Sequence, residues 1–353
     1  MKVISVVGAR PQFVKLAPVS HAMNGAGMDH VIVHTGQHYE AGMSDAFFED
    51  LNIPAADIHL GIGSGSHGAQ TGAMLAALDP VFVEQRPDWV LVYGDTNSTL
   101  AAAVSAVKLH VSVAHLEAGL RSGNRQMPEE INRILTDHAA DLCLAPTELA
   151  MRNLAKESLS ERSVLVGDVM TDVCLLTRDL IREEDRIPKV VPTDTDFVLT
   201  TLHRAENTDN PTRLEALLGG LAALPYPVVL AVHPRLRDKA AAAGLELDIG
   251  SLLPVDPLSY PDLIATVLRA RGVVTDSGGL QKEAYLLGTP CVTLRTETEW
   301  PETLAAGMNV LSPDGEDLGI LIDRKVGDQP NTYPYGRGDA AEQVVKALLD
   351  RHR

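Results

Sequence analysis

The feature that most constrains this chain is a series of short apolar runs without polar alternation, separated by longer helix-like segments. In the first half the apolar runs are VISVV, HVIVH, WVLVY, VSVAHL, DLCLA and SVLVG. Between them lie PQFVKLAPVSHAM, GAQTGAMLAALDPVFVEQ, STLAAAVSAVKL, PEEINRILTDHAA and ELAMRNLAKE, which have helical patterns. A strand that is apolar on both faces belongs in a parallel sheet covered by helices on both sides. After a polar, proline-containing stretch at residues 182–196 the alternation restarts with FVLTTLH, PVVLAVH, SLLPV, GVVTD and CVTLR. The pattern predicts an α/β protein of two doubly wound domains, residues 1–168 and 169–336. The closing segment, 337–353, predicts an amphipathic helix able to pack back on the N-terminal domain.

A length of 353 residues accommodates two such domains. The apolar content of 45% supplies ordinary cores, and with only 4% aromatics those cores must be aliphatic. A net charge of −17 argues against a nucleic-acid binder, which needs a basic face, but leaves room for a local basic pocket. Cys143, Cys174 and Cys291 are odd in number and far apart, so they offer neither a disulfide framework nor a zinc spacing, as suits a reducing cytoplasm. The apolar run of MKVISVVGARPQF is too short for a signal peptide, and no run approaches the roughly 18 apolar residues of a membrane span. The expectation is a cytoplasmic protein with no membrane or nucleic-acid partner.

Ligands of open parallel sheets bind beyond the carboxyl ends of the strands. Those positions here carry Gly8-Ala9-Arg10-Pro11, Thr35-Gly36-Gln37-His38, Gly94-Asp95-Thr96-Asn97 and Glu117-Ala118-Gly119 in the first half. In the second they carry His203-Arg204, His233-Pro234-Arg235 and Asp276-Ser277-Gly278-Gly279. Turn chemistry accounts for the glycines. It accounts less well for histidine, arginine and carboxylates placed directly after apolar strands, which predict one shared interdomain site. TDSGGLQKEAY adds a strand end, a Ser-Gly-Gly turn and a helix start, where free N–H groups and the helix dipole suit a phosphate. It is neither a G-x-G-x-x-G nor a Walker motif, which weakens nicotinamide and ATP readings.

Within HLEAGLRSGNRQMPEEINR, Pro128 suits the first position of a helix and Glu129 and Glu130 its first turn. Glu129 also has Arg133 four residues on, the spacing of a helix ion pair. Glu117 has no helix to stabilise and stands at a strand end, so it calls for a cationic partner or a chemical role. Lys15 and Glu283 have solvated helix faces as their plain alternatives, and Ser277 a simple helix cap.

GARPQFVKLAP, HTGQHYE, YGDTNST, HLEAGLRSGNRQMPEEINRILTDH, LHRAENTDN, HPR and TDSGGLQKEAY…PCVTLRTETEW together resemble the non-hydrolysing UDP-N-acetylglucosamine 2-epimerase family, in order from Lys2 to about Asn309. The resemblance implies a GT-B-like fold, two Rossmann-like domains facing a cleft. It also implies a UDP-sugar substrate, a homodimer, and no redox cofactor or obligatory metal. The family's reaction inverts C2 of a UDP-linked 2-acetamido sugar by eliminating UDP to a 2-acetamidoglucal and adding it back. Carried over by motif, Asp95, Glu117, Glu129 and His203 match catalytic positions. Arg10, Lys15, Ser277, Gly278, Gly279 and Glu283 match nucleotide-binding ones, as does His233 in the second-domain loop.

The chain departs from many members at Tyr39 after Gln37-His38, at Ala205, and at Trp300. The first two changes argue against the second, regulatory UDP-N-acetylglucosamine site of the family. Trp300 together with GARPQF also occurs in the branch acting on UDP-2,3-diacetamido-2,3-dideoxyglucuronate. That substrate, a hydrolysing outcome that releases ManNAc and UDP, and a GT-B glycosyltransferase are the alternatives. A non-catalytic nucleotide-sugar sensor would not need Asp95, Glu117, Glu129 and His203 together.

Overall fold

The computed structural model describes residues 1–36, 55–192, 195–327 and 333–352. Two sheets organise it, and every strand pairing in both is parallel. The first is built from β1 (Lys2–Val7), β2 (Asp29–His34), β3 (Ile58–His59), β4 (Trp89–Tyr93), β5 (Ser112–Leu116), β6 (Leu142–Ala145) and β7 (Ser163–Leu165). Its order is β3-β2-β1-β4-β5-β6-β7. The helices are α1 (Arg10–Gly25), α2 (His67–Gln85), α3 (Asn97–Lys108), α4 (Pro128–Ala139), α5 (Glu148–Lys156) and α6 (Val169–Glu184).

The second sheet uses β8 (Val198–Thr201), β9 (Val228–Ala231), β10 (Leu252–Val255), β11 (Gly272–Thr275), β12 (Cys291–Thr293) and β13 (Asn309–Leu311), in the order β10-β9-β8-β11-β12-β13. Its helices are α7 (Ala205–Thr208), α8 (Pro211–Ala222), α9 (Pro234–Ala242), α10 (Tyr260–Arg269), α11 (Gly278–Leu287) and α12 (Leu318–Ile322). The last helix is α13 (Ala340–Arg351). Both sheets thus have the doubly wound order in which the chain starts in the middle, runs to one edge, and returns to build the other. The reversal falls between β1 and β4 in one and between β8 and β11 in the other, and such a switch point opens a crevice at the strand ends.

The chemistry of the elements follows from the residues. Val90, Leu91, Val92 and Tyr93 of β4, and all four residues of β11, are buried, as strands covered on both faces must be. Burying a Val, Leu or Ile side chain contributes about 1.5–3 kcal/mol, so these strands hold each sheet between its helices. Side chains of Thr96, Thr147, Asn210, Ser259 and Ser277 accept backbone N–H groups at the starts of their helices. Proline at the first turn starts α4, α8, α9 and α10.

The fold class is the α/β class of two doubly wound parallel sheets that the sequence leads one to expect. The chain divides into two compact units, Met1–Val173 with Tyr333–Arg353, and Cys174–Thr332. Helix α13 packs on α1 in the first unit. Its start is held by Asp172, whose carboxylate accepts the N–H groups of Ala340 (3.1 Å) and Ala341 (2.7 Å). Beside it Gly167 and Gly336 pass so closely that a Cβ on either would stand 3.3 Å from the other's Cα. Among the described residues no helix is long and apolar enough to cross a membrane. Gln37, His38 and Tyr39 lie outside the described residues.

Burial pushes the Asp172 carboxyl from 3.8 up to about 6; the two N–H groups partly offset this, and Asp168 and Asp339 add to it. The folded state therefore holds this proton more tightly than the unfolded chain. The resulting stabilisation is present below about pH 4 and lost as pH rises through 6. Asp172→Asn, which does not titrate, should flatten that part of the stability profile when urea midpoints are measured from pH 4 to 7. Asp172→Ala should in addition destabilise the protein by about 1 kcal/mol through loss of the cap. A wild-type-minus-Asn difference that stays constant over this range would refute the assignment.

Candidate functional site

In the first unit, the β1–α1 turn is shaped by Gln12. Its side-chain oxygen accepts the N–H groups of Gly8 (2.8 Å) and Ala9 (3.0 Å), while its amide donates to the Tyr93 carbonyl (2.7 Å) and to Thr99 (3.0 Å). One buried amide thus joins the ends of β1 and β4 across the switch point. Arg10 opens α1; its side chain lies outside what the structure describes. Lys15, one turn further, is bonded through Nζ to the Glu117 carboxylate. Burial opposes the ammonium charge, but Glu117, with Asp95 and Asp168 nearby, outweighs it and holds Lys15 above its ordinary range. Lys15 is therefore a carboxylate partner in this structure and not a solvated helix residue.

Glu117 has φ +71°. A left-handed backbone costs a non-glycine residue roughly 1–2 kcal/mol and is kept only where the surroundings over-determine it. Here the N–H of Ala118 donates to the Leu144 carbonyl (3.1 Å) and that of Gly119 to Asp137 (3.0 Å). Gly119, at φ +83°, admits no side chain, because a Cβ would stand 2.5 Å from the Ala150 carbonyl oxygen. A Cβ on Gly94 would stand 3.1 Å from a Glu117 oxygen, so glycine there leaves room for the carboxylate.

Asp95 follows Gly94 and is half-buried, its carboxylate bonded to Arg133. The same guanidinium reaches Glu130 (3.1 Å). This corrects the pairing read from spacing: Arg133 bonds Glu130, three residues before it, and Asp95, instead of Glu129 at four. Glu130 is buried and accepts Ser122 N–H (3.0 Å), Ser122 hydroxyl (3.0 Å) and Gly123 N–H (2.9 Å). Burial works against its charge, but these bonds and Arg133 hold its carboxyl below the usual range. Glu130 thus fastens the loop before α4, while Glu129, at the helix start, is exposed.

In the second unit, Asp276 organises the strand ends. Its fully buried carboxylate accepts the N–H groups of His203 (3.0 Å) and Arg204 (2.9 Å) and the side-chain amide of Asn207 (3.1 Å). It also lies 3.2 Å from His203 Nδ1. Burial lowers the His203 pKa below 6.5; Asp276 opposes this, and His233, Arg204 and Arg235 reinforce it. The His203 and His233 rings stand 5.4 Å apart between centroids. His233 caps α9 through Nδ1, which accepts Arg235 N–H at 3.1 Å.

Ser277 caps α11, accepting Leu280 N–H at 3.4 Å. Neither Gly278 nor Gly279 is left-handed, and a Cβ at either would meet only ordinary contacts, the nearest 3.6 Å from Glu299 and 3.9 Å from Ser277. Nothing in the protein's own packing demands glycine there. The two glycines add no side chain of their own to the first turn of α11, and the Glu299 carboxylate, the Arg204 guanidinium and the Trp300 indole stand beside Gly278. Glu283 is buried and stands by Tyr260, whose hydroxyl burial, Glu283 and Cys174 hold well above its ordinary range. The plain reading of Glu283 as a solvated helix residue does not hold.

The structure thus gathers Asp95, Glu117 and Lys15 at one switch point and His203, His233, Ser277, Gly278 and Gly279 at the other. Sequence reasoning missed Gln12, His115, Glu130, Asp137 and the organising role of Asp276. The signal for His115 was available, a histidine between the apolar residues Ala114 and Leu116 of a buried strand. Among the described residues no group of three His, Cys, Asp or Glu side chains is arranged to hold a metal.

Residues 21–349 match the model of the family described as UDP-N-acetylglucosamine 2-epimerase. The chain is 44% identical to UDP-2,3-diacetamido-2,3-dideoxy-D-glucuronate 2-epimerase of Pseudomonas aeruginosa, with 99% of each chain covered. It is 38% identical to UDP-N-acetylglucosamine 2-epimerase of Methanocaldococcus jannaschii, again with 99% of each covered. The crystal structure of that archaeal enzyme in complex with UDP-GlcNAc and UDP is similar with a TM-score of 0.85, covering 99% of this chain and 100% of that one. The Neisseria meningitidis UDP-GlcNAc 2-epimerase bound to UDP-GlcNAc is similar at 28% identity, with a TM-score of 0.85 and coverage of 99% and 100%. Motifs, sheet order and full-length likeness agree, and the chain belongs to the UDP-N-acetylglucosamine 2-epimerase family of isomerases.

Proposed function

We propose that the protein interconverts UDP-GlcNAc and UDP-ManNAc by eliminating UDP and adding it back. The observation that carries this reading is Glu117, a carboxylate residue held in a left-handed turn beside Lys15 at a sheet switch point, with Asp95 on the neighbouring strand end. The C2–H bond of the sugar has no adjacent carbonyl to acidify it, so simple deprotonation is prohibitive. Loss of UDP from C1 as the C2 proton leaves avoids the free carbanion: the C2–H electrons form the C1–C2 double bond, and the C1–O electrons depart with UDP. The 2-acetamidoglucal is then protonated at C2 on the opposite face and UDP returns to C1.

Asp95, Glu117 and Glu129 are assigned to proton removal and return, and His203 to the departing diphosphate. Asp276 at Nδ1 leaves Nε2 of His203 as the atom to act there. Ser277, Gly278 and Gly279 at the start of α11 are assigned to the diphosphate, with Arg10 and His233 assisting and Glu283 on the ribose. Lys15, which the resemblance placed with the nucleotide, is assigned here to neutralising Glu117. The protein is proposed to act in the cytoplasm as a homodimer.

A second reading keeps the chemistry and changes the sugar to UDP-2,3-diacetamido-2,3-dideoxyglucuronate. It is favoured by the 44% full-length identity to the P. aeruginosa enzyme of that specificity, and by Trp300, which here stacks over Lys282 at 4.1 Å.

Incubation with each UDP-sugar in D2O, followed by NMR, tests the proposal. Deuterium at C2 together with UDP-ManNAc supports the first reading, and exchange only on the diacetamido-uronate transfers the function to the second. Free ManNAc with UDP would mark a hydrolysing enzyme, and no exchange on either sugar would refute both readings. Asp95→Asn, Glu117→Gln and His203→Ala should each lower turnover at least about a hundredfold, the scale of acid–base groups. Near-normal turnover removes that residue from the mechanism. Because burial and cationic neighbours hold His203 below its ordinary pKa, an arriving diphosphate should raise it. Calorimetry of UDP binding near pH 6.5, in two buffers of different ionisation enthalpy, should therefore show net proton uptake, and His203→Ala should abolish it. Equal uptake in the variant would place the titrating group elsewhere.

A further inference from the structure

We propose that the buried pair His115–Asp137 is a positioning element that fixes the Asp95 loop and the Glu117 turn relative to each other. The inference rests on the proposed function, since it concerns the carboxylates assigned there. His115 on β5 and Asp137 on α4 are both fully buried. His115 Nε2 donates to the Gly94 carbonyl at 2.6 Å, and Nδ1 faces Asp137 Oδ1 at 2.6 Å. The other Asp137 oxygen accepts Gly119 N–H at 3.0 Å and the Arg121 guanidinium at 2.7 Å. Gly94 immediately precedes Asp95, and Gly119 follows Glu117 by two residues. One side-chain pair therefore holds the backbone of both turns.

The proton inventory makes both contacts of the ring hydrogen bonds. A carbonyl only accepts, so Nε2 carries a proton. Burial works against the Asp137 charge, but His115 and Arg121 hold its carboxyl below the usual range, and the 2.6 Å contact between Nδ1 and Oδ1 is a hydrogen bond. Arg121 is in turn paired with Glu157 at 2.8 Å, and Asn153 donates to the Gly119 carbonyl at 3.0 Å, so the anchor continues into α5. A buried pair of ionisable groups is weak support for stability, because desolvation offsets its attraction; its best-supported use is to specify geometry. Geometry is what this place requires, with Glu117 at φ +71° and Gly94 leaving just enough room for its carboxylate.

The test is a separation of kcat from binding. Asp137→Asn keeps the volume but loses the charge, and His115→Gln keeps a donor for Gly94 but loses the bond to Asp137. Each should lower kcat for C2 exchange about a hundredfold, the effect of a misplacement on the order of 1 Å. KM, and UDP affinity by calorimetry, should change less than about threefold. Wild-type turnover in either variant would overturn the proposal. So would a loss of kcat matched by the loss of UDP affinity or of the folded fraction, which would mark a purely structural pair. A wild-type protein with no C2 exchange would overturn the proposed function and this inference together, whereas an active wild type with unaffected variants would overturn only the inference. Nitrogen-15 NMR of the wild-type His115 ring supplies a readout that needs no variant. Nε2 should carry a proton, and a bare Nε2, which could not bond the Gly94 carbonyl, would overturn the proposal.

Discussion

Buried carboxylates that accept backbone N–H groups stand behind four of the turns and helix starts here. Asp276 holds the end of β8 by the N–H groups of His203 and Arg204. Asp137 holds the turn after β5 by Gly119, Glu130 holds the loop before α4 by Ser122 and Gly123, and Asp172 holds the start of α13. The reason is general. A chain leaving a parallel strand has N–H groups with no ladder partner, and burying them unpaired is expensive. A carboxylate can satisfy two or three at once and bonds to each more strongly than a neutral acceptor. Rigid turns at the strand ends follow from that arithmetic, and the chemical groups beside them inherit the rigidity.

The candidate carboxylates of the first unit are themselves paired in the resting protein, Glu117 with Lys15 and Asp95 with Arg133. Each carboxylate thus has its own cation to hold it in place. The arrangement also explains why glycine precedes Asp95: a side chain at residue 94 would crowd the Glu117 carboxylate.

The architecture was legible because parallel strands covered on both faces leave an unmistakable trace, apolar runs such as WVLVY and GVVT with no alternation. The helical spacing of the final segment predicted a buried face without identifying what buries it, since amphipathicity carries no address. The N-cap contributed by Asp172 is a contact between residues about 170 apart and leaves no local pattern. At the strand ends, polar residues after apolar runs marked the turns well. Spacing failed at Glu129 and Arg133, where an i,i+4 rule for isolated helices was overruled by a loop that needed Glu130 and a carboxylate on another strand end. Asp137 was invisible for a related reason: a charged residue in a helix reads as solvated unless the partners that bury it are known.

The net charge of −17 poses a last question for a protein proposed to bind a diphosphate. Its long-range field repels such a ligand, although at physiological salt that field is screened beyond about 8 Å. What must attract is close at hand, and the start of α11 is suited to it. Backbone N–H groups carry no counter-ion and need no protonation, and the two glycines add no side chain of their own there. Arg204 beside that turn is shared with Glu299 at 3.5 Å and donates to the Asp276 carbonyl at 3.0 Å, so it is oriented before any ligand arrives. An acidic chain can therefore recognise an anion by local, preorganised donors, without a basic surface.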